Sequence, residues 1–229
     1  MATAIFGPLA LLAFIGVVLT ILAVALVYPP GIHAVTSLGC RLIVAAAGAR
    51  LRVEGTFPAD GPFIVMANHE SFLDMFLLPA VVPGRYTGVM AEEMMQYPLL
   101  LPALRRLKVV PIARQDQESA LLSLRIAGDA LRAGYHVVLL PEGTRSLDGH
   151  LLPFKSGGFY MAVATRAPIL PIGIDGAFQY KPKTRWTIEP RTVTVRIGRP
   201  VPASDYDALG TAGLKERVRA EIATLSGKG

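Results

Sequence analysis

The sequence contains one cysteine and one tryptophan in 229 residues, and no charged residue precedes Arg41. A single cysteine, Cys40, excludes an internal disulfide and any zinc site built from several cysteines. The four histidines lack the spacing of metal ligands, so we expect no metal. Neither a phosphate-binding or dinucleotide-binding glycine loop nor the Gly-x-Ser-x-Gly of serine hydrolases occurs. We therefore expect no bound cofactor.

The composition is apolar and basic. Hydrophobic residues make up 52% of the chain and charged residues 17%, which excludes a disordered protein or a coiled coil. The 23 Lys and Arg exceed the 17 Asp and Glu, and all of them lie within residues 41–229. A basic surplus suits anionic lipid or nucleic acid. The uncharged leader favours a membrane, and we expect no nucleic acid partner.

The leader contains an apolar run over residues 5–28. As a helix rising about 1.5 Å per residue it would be roughly 36 Å long, enough to cross a bilayer. A cleaved secretory signal is the alternative, since Ala23-Val24-Ala25 has the small-x-small pattern of a cleavage site. No Lys or Arg precedes the run, and it exceeds the usual signal length, so a retained anchor is favoured.

A second apolar segment covers residues 31–48 and contains Arg41. It is a poor bilayer span, and whether the two segments form a hairpin or one true crossing stays open. Arg50 and Arg52 follow it, and the positive-inside tendency predicts that the rest of the chain lies on the cytoplasmic face. We divide the chain into membrane-anchoring helices over 1–48 and a second domain over 49–229.

Strand and helix patterns alternate along residues 49–229. Strands are predicted near 51–54, 63–67, 86–90, 109–112, 136–140, 169–174 and 192–197. Helices are predicted from about 72 and over 92–104, 117–133, 159–166 and 211–225. This alternation predicts an α/β fold with an open sheet flanked by helices.

The first polar cluster follows an apolar strand and reads NHESFLD over residues 68–74. Ligands bind at such strand ends in open α/β sheets. Asp74 has the spacing to hold one ring nitrogen of His69, leaving the other free as a general base. A second interpretation needs no catalysis, because Ser71 and Asp74 also have the spacing of a helix capping box.

The second polar cluster, PEGTRS over residues 141–146, follows another apolar strand. Gly143 permits close backbone approach to a ligand, Arg145 offers a fork to phosphate, and Glu142 can accept a hydroxyl proton. A tight turn with a surface ion pair is the structural alternative.

In this order the two clusters resemble the motifs of the glycerolipid acyltransferases, above all the 1-acylglycerol-3-phosphate acyltransferases. The resemblance runs over residues 51–174. VVPIAR at 109–114 is similar to the family's strand that ends in a phosphate-binding arginine, and ILPI at 169–172 to its apolar motif lining the acyl or acceptor site. Two positions depart from the pattern: Lys108 replaces a glycine, and Ala113 replaces an acidic or amide residue.

The resemblance implies a mixed open sheet preceded by apolar membrane helices. It implies acyl transfer from acyl-CoA or an acyl carrier protein to a lysophospholipid, most specifically 1-acylglycerol-3-phosphate, giving phosphatidic acid. His69 would take the hydroxyl proton and Asp74 would orient its ring. The remaining implied residues bind substrate: Arg114 and Arg145 at the phosphate, Glu142 at a glycerol hydroxyl, and Gly143, Thr144 and Lys155 around them.

Two other functions stay open. One is an acyltransferase for a different lysolipid, such as a lyso-aminolipid or a glycolipid. The other is a non-catalytic membrane protein that binds anionic lipid. We expect membrane lipid as a partner and the bacterial inner membrane as the location.

Two basic segments are candidate lipid contacts. Arg105, Arg106 and Lys108 adjoin an apolar stretch. The segment around Trp186, with Lys181 and neighbouring cations, is either a lipid-facing patch or a solvated strand face.

Overall fold

Seven short segments of the sequence form one mixed sheet in the computed structural model, which describes residues 2–28, 31–91, 96, 101–112 and 117–228. Along the sheet the strands lie in the order β1-β7-β6-β2-β5-β3-β4. Strand β7 is antiparallel to β6, and every other neighbouring pair is parallel. The strands are β1 (Arg50–Glu54), β2 (Ile64–Ala67), β3 (Tyr86–Ala91), β4 (Val110–Ile112), β5 (His136–Leu139), β6 (Ile169–Asp175) and β7 (Thr192–Ile197).

The helices of the described residues cover both faces of this sheet. They are α1 (Ala2–Val27), α2 (Ile32–Ala46), α3 (Asp74–Val81), α4 (Leu101–Arg106), α5 (Gln117–Arg132), α6 (Gly157–Thr165), α7 (Ala177–Tyr180) and α8 (Tyr206–Leu225). The predicted α/β class with a mixed open sheet flanked by helices is therefore confirmed.

Strand β2 lies at the middle of the sheet and is buried on both faces. Successive strand side chains point to opposite faces. Val65 and Ala67 accordingly join the apolar cluster beneath α2 and α3, while Ile64 and Met66 join the cluster beneath α5, α6 and α8. A strand enclosed in this way needs a continuous apolar run, as the sequence has.

Helices α1 and α2 pack as an antiparallel pair along one side of the domain. Phe6 lies beside Gly48 at one end of the pair, and Val17 lies beside Gly39 near the middle. Helix α1 also contacts the domain, where the Phe14 and Phe76 rings meet edge to face at 6.1 Å. Its outer stripe leaves apolar side chains exposed, including Leu9 and Leu12. Residues Ala2–Val24 are long and apolar enough to cross a membrane.

Two predicted helices begin at other residues in the structure. The C-terminal helix was predicted from residue 211, but α8 begins at Tyr206, because Gly210 interrupts it with φ of +59° and ψ of 176° and hides its first turn from the apolar periodicity. Helix α3 begins at Asp74 rather than at residue 72. Most of the predicted helix at 92–104 lies outside the described residues, apart from α4. The four-residue helix α7 is too short to produce a periodic pattern.

Candidate active site

His69 and Asp74 lie at the carboxyl end of β2, beside the carboxyl end of β5. Because β2 and β5 are parallel neighbours, with Met66 opposite Leu139, the segments that follow them meet at the carboxyl end of the sheet. The ring Nδ1 of His69 lies 2.8 Å from Oδ2 of Asp74. The His69 side chain is 21% exposed and the Asp74 side chain is fully buried. The pair therefore presents a ring edge to solvent and hides its carboxylate.

One oxygen of Asp74 binds both the His69 ring and the backbone of the segment between the two residues. Its Oδ2 accepts hydrogen bonds from the backbone N–H of Ser71 at 2.9 Å and of Glu70 at 2.7 Å. No capping box forms, because α3 begins at Asp74 with Leu73 as its N-cap and without a side-chain cap bond, while the same Asp74 oxygen holds the His69 ring. Burial raises the pKa of Asp74, whereas its bond to His69 and the charges of His69 and Arg145 lower it. Since backbone N–H groups only donate, Oδ2 is held as an acceptor and the ring nitrogen facing it carries the proton.

The second polar cluster holds the backbone of His69 from both sides. The His69 N–H donates to Oε1 of Glu142 at 2.6 Å, and the His69 carbonyl accepts the Ser146 N–H at 2.9 Å. Glu142 and Ser146 follow β5, so the two sequence clusters are joined directly in space. This clamp fixes the position from which the His69 side chain projects.

Glu142 is buried, and both of its oxygens are bound to backbone groups. Its Oε2 accepts the Leu152 N–H at 2.8 Å, in addition to the His69 bond at Oε1. Burial raises the pKa of Glu142 to about 7, opposed by those two bonds. The carboxylate thus links the loop after β2 to the loop after β5. Its predicted contact with a glycerol hydroxyl stays a prediction.

The rest of the second cluster forms a turn in front of His69. Gly143 has φ of +69°, and a Cβ there would lie 2.9 Å from Cε of Lys155. Lys155 therefore folds over the glycine, held by its N–H bond to the Pro141 carbonyl at 2.8 Å. Thr144 is exposed and Arg145 is half-buried. Arg145 is close enough to Asp74 for its charge to lower the pKa of that carboxyl.

Asn68 and Glu70, two polar residues that were not predicted as site residues, support the loop that follows β2 and contains His69. Asn68 is fully buried and bonds both backbone groups of Ile174, its Nδ2 to the carbonyl at 2.8 Å and its Oδ1 to the N–H at 2.7 Å. Its Nδ2 also donates to Oε1 of Glu70 at 2.8 Å. Oε2 of Glu70 accepts the Phe178 N–H at 3.1 Å. Their place directly beside His69 in the sequence was the available signal.

An apolar cavity of about 270 Å³ opens beside this loop. Its walls come from α1, from α2 and from the segment after His69, and Lys181 lies on its rim. The apolar lining side chains include Leu11, Phe14, Ile43, Phe72 and Phe76.

The Ser71 hydroxyl donates to the Lys181 carbonyl at 2.8 Å and accepts the Leu73 N–H at 3.3 Å. Burial lowers the pKa of Lys181, and the charges of Arg145 and Arg185 lower it further.

The predicted cations outside the loop fall into three places. Arg114 lies outside the described residues. Lys108 lies shortly before β4, which is a strand at one edge of the sheet, and its Nζ is 4.6 Å from the Tyr135 ring centre. Trp186 is 90% exposed, and Nζ of Lys181 lies 5.6 Å from its ring centre. Of the cations predicted to bind phosphate, the structure brings Arg145 and Lys155 to the turn in front of His69.

A scan against protein-family models matches residues 50–175, more than half of the chain, to the model described as Acyltransferase. The chain belongs to the acyltransferase family. The matched range agrees within one residue at each end with the range over which the sequence motifs resemble that family. The family predicted from the two polar clusters is therefore confirmed.

Several relatives of this acyltransferase share the name 1-acyl-sn-glycerol-3-phosphate acyltransferase. The 1-acyl-sn-glycerol-3-phosphate acyltransferase of Cocos nucifera is 28% identical over 73% of this chain and 54% of its own length. The alpha enzyme of that name from Homo sapiens is 30% identical over 78% of this chain and 64% of its own. The chain thus spans less than two thirds of these relatives. The solved 1-acyl-sn-glycerophosphate (LPA) acyltransferase PlsC of Thermotoga maritima superposes with a TM-score of 0.82 at 27% identity, covering 97% of this chain and 92% of that one.

Proposed function

We propose that this acyltransferase moves an acyl group from a thioester to the free hydroxyl of 1-acylglycerol-3-phosphate, which produces phosphatidic acid. The observation that carries the proposal is the His69–Asp74 pair, held at 2.8 Å and clamped through the His69 backbone by Glu142 and Ser146. The names of the relatives support the acceptor.

In the first step the acceptor hydroxyl attacks the thioester carbonyl carbon. The hydroxyl proton passes to Nε2 of His69, because Nδ1 keeps its proton toward Asp74. A C–O bond forms, and the carbonyl oxygen becomes an oxyanion. The buried carboxylate of Asp74 stabilises the imidazolium that His69 becomes. General-base assistance of this kind contributes roughly 10²- to 10⁴-fold to a rate.

In the second step the tetrahedral intermediate collapses. The C–S bond breaks, the thiolate leaves, and Nε2 of His69 returns its proton to the sulfur. The substrate supplies the nucleophile, so no acyl-enzyme forms. The hydroxyl closest in sequence to His69 belongs to Ser71, and it is held between the Lys181 carbonyl and the Leu73 N–H.

The substrate is an amphiphile, and the site contains both environments that it needs. Arg145 and Lys155 provide cations for its phosphate, with Arg114 predicted to join them. The apolar cavity beside Phe72 accommodates an acyl chain, since burial of each methylene gives about 0.8 kcal/mol. This pairing of cations with an apolar cavity favours a lysophosphatidate over a soluble alcohol.

Residues 1–48 anchor the enzyme in the membrane under this proposal. Apolar side chains are exposed along a stripe of α1 that includes Leu9 and Leu12, and Leu38 and Leu42 are exposed on α2. Contact with lipid would remove that stripe from water. The domain over 49–229 would then work on the cytoplasmic face of a bacterial inner membrane, where acyl-CoA and acyl carrier protein are both available as donors.

An acyl-transfer assay on membranes tests the proposal. Wild type and His69→Ala would be given acyl-CoA or acyl carrier protein thioester with a panel of acceptors, namely lysophosphatidate, lyso-aminolipid and lysoglycolipid. We expect release of free thiol with lysophosphatidate, reduced at least 100-fold by His69→Ala. Faster transfer to another lysolipid would overturn the proposal that lysophosphatidate is the acceptor. Lipid binding without turnover would show a non-catalytic protein.

A further inference from the structure

We propose that Lys228 is a positioning residue for the catalytic loop and acts through Glu70, an inference that rests on the acyl transfer proposed above. Lys228 lies more than 150 residues after His69 and belongs to neither polar cluster. Its ammonium group nevertheless contacts Glu70, the residue next to His69.

The end of α8 directs Lys228 to this place. The Gly227 N–H bonds the Thr224 carbonyl at 3.2 Å, and the Lys228 N–H bonds the Ala223 carbonyl at 2.7 Å. With φ of +71° at Gly227, these bonds form the Schellman ending of a helix. Helix α8 is itself fixed against β6, since Leu225 packs so closely on Gly173 that no Cβ would fit there. Lys228 therefore leaves a rigid helix end in a defined direction.

The Lys228 ammonium joins two loops. It forms an ion pair with Oε1 of Glu70, in the loop after β2, and donates to the carbonyl of Gly149, in the loop after β5. The Glu70 side chain is only 2% exposed, and the Lys228 side chain is 17% exposed. A carboxylate this deeply buried needs a countercharge, and in the described part of the chain Lys228 is the one cation that pairs with it.

Each of these two contacts leads to the catalytic pair in a few bonds. The backbone N–H of Glu70 donates to Oδ2 of Asp74 at 2.7 Å. On the other side, the Gly149 N–H bonds the Ser146 hydroxyl at 2.9 Å, and the Ser146 N–H bonds the His69 carbonyl at 2.9 Å. Lys228 thus holds together the two segments that fix the His69 ring and its carboxylate partner.

Lys228 touches neither His69 nor Asp74 through any described bond, so its loss should affect catalysis through geometry. In Lys228→Met the Glu70 carboxylate stays buried without its cation, and the loop shifts to reach water or another donor. Displacements of about 1 Å at a catalytic group lower rates by up to about 100-fold. We expect kcat to fall about 10- to 100-fold while KM for acceptor and donor changes less than about 3-fold.

The experiment compares four variants of the full chain in membranes. Lys228→Met should lower kcat, and Lys228→Arg should restore most of it because Arg keeps the charge. The double variant Glu70→Gln with Lys228→Met should have a kcat no higher than that of Lys228→Met alone, because the Gln amide nitrogen would face a donor, either Asn68 Nδ2 or the Phe178 N–H. Lys215→Met on α8 is the control and should behave as wild type.

Amide hydrogen exchange gives a readout that does not depend on turnover. The N–H groups of Glu70 and Ser71, both bonded to Asp74, should exchange faster in Lys228→Met than in wild type, and unchanged exchange would overturn the proposal. Unchanged kcat in Lys228→Met, or equal kcat in the Met and Arg variants, would also overturn it. If wild type transfers no acyl group to any acceptor, the proposed function fails, while the exchange measurement still decides the role of Lys228 in the loop.

Discussion

Replacing Asp74 by Asn tests how the buried carboxylate assists His69. Three donors face Oδ2 of Asp74, namely the His69 ring nitrogen and the N–H groups of Glu70 and Ser71. An Asn amide nitrogen at that position would meet two backbone donors, so the Asn oxygen must occupy it. The His69 proton then stays on Nδ1, and Nε2 stays free as the base. The variant therefore loses the negative charge but keeps the tautomer.

The size of the loss follows from the charge alone. Two unit charges about 4 Å apart interact by about 4 kcal/mol at an effective dielectric constant of about 20. With the proton about half transferred in the transition state, about 2 kcal/mol of that stabilisation is realised. Since each 1.36 kcal/mol is tenfold in rate, kcat of Asp74→Asn should fall about 30-fold. The kcat of His69→Ala should fall about 100- to 10,000-fold.

The assay is single-turnover acyl transfer in proteoliposomes, with ¹⁵N NMR of the His69 ring to identify its tautomer. Asp74→Ala is the matched comparison, because it leaves three donors without their acceptor and should resemble His69→Ala. Asp74→Asn should unfold at a lower temperature than wild type, because its amide nitrogen would take the place of Oδ1, which is buried without a hydrogen-bond partner in the described part of the chain. A loss in Asp74→Asn as large as in His69→Ala, or a proton on Nε2 of its His69, would refute the reasoning.

Burial raises the pKa of Glu142 to about 7 from its usual 4.5, so the folded protein binds this proton more tightly than the unfolded chain, and thermal stability should decline as the pH rises through about 7. Glu142→Gln should remove that part of the decline. Gly143→Ala should destabilise the fold by about 1 kcal/mol and raise acceptor KM by displacing Lys155, whereas Gly84→Ala, at a similar φ with open space around it, should only destabilise. Trp186 fluorescence should shift to shorter wavelength and be quenched by brominated anionic lipids in proteoliposomes, since tryptophan favours the membrane interface.

An unchanged slope of stability against pH in Glu142→Gln would show that another group titrates there. An equal KM for the acceptor in Gly143→Ala and Gly84→Ala would show that Lys155 does not bind the phosphate of the acceptor. Trp186 is the only tryptophan, so equal quenching by an aqueous quencher in detergent and in vesicles would place its loop in water.

The contact between His69 and Asp74 was predictable because the two residues are close in the chain. His69 and Asp74 are five residues apart, and a spacing this short constrains geometry before any long-range packing. The apolar leader and the strands were predictable for a similar reason, because the order of apolar and polar residues along a segment indicates which of its faces are apolar. Local patterns were enough to predict the fold class, and the resemblance of the two polar clusters to known motifs was enough to predict the family.

Tertiary structure decided everything that depends on distant contacts. The neighbouring positions of β2 and β5 bring Glu142 to the backbone of His69, which no spacing indicates because 73 residues separate the two. The contact of Lys228 with Glu70 depends on where α8 ends against the sheet. Local patterns record which face of an element is apolar, but strand order and helix docking minimise free energy over the whole chain, so they determine which polar groups meet.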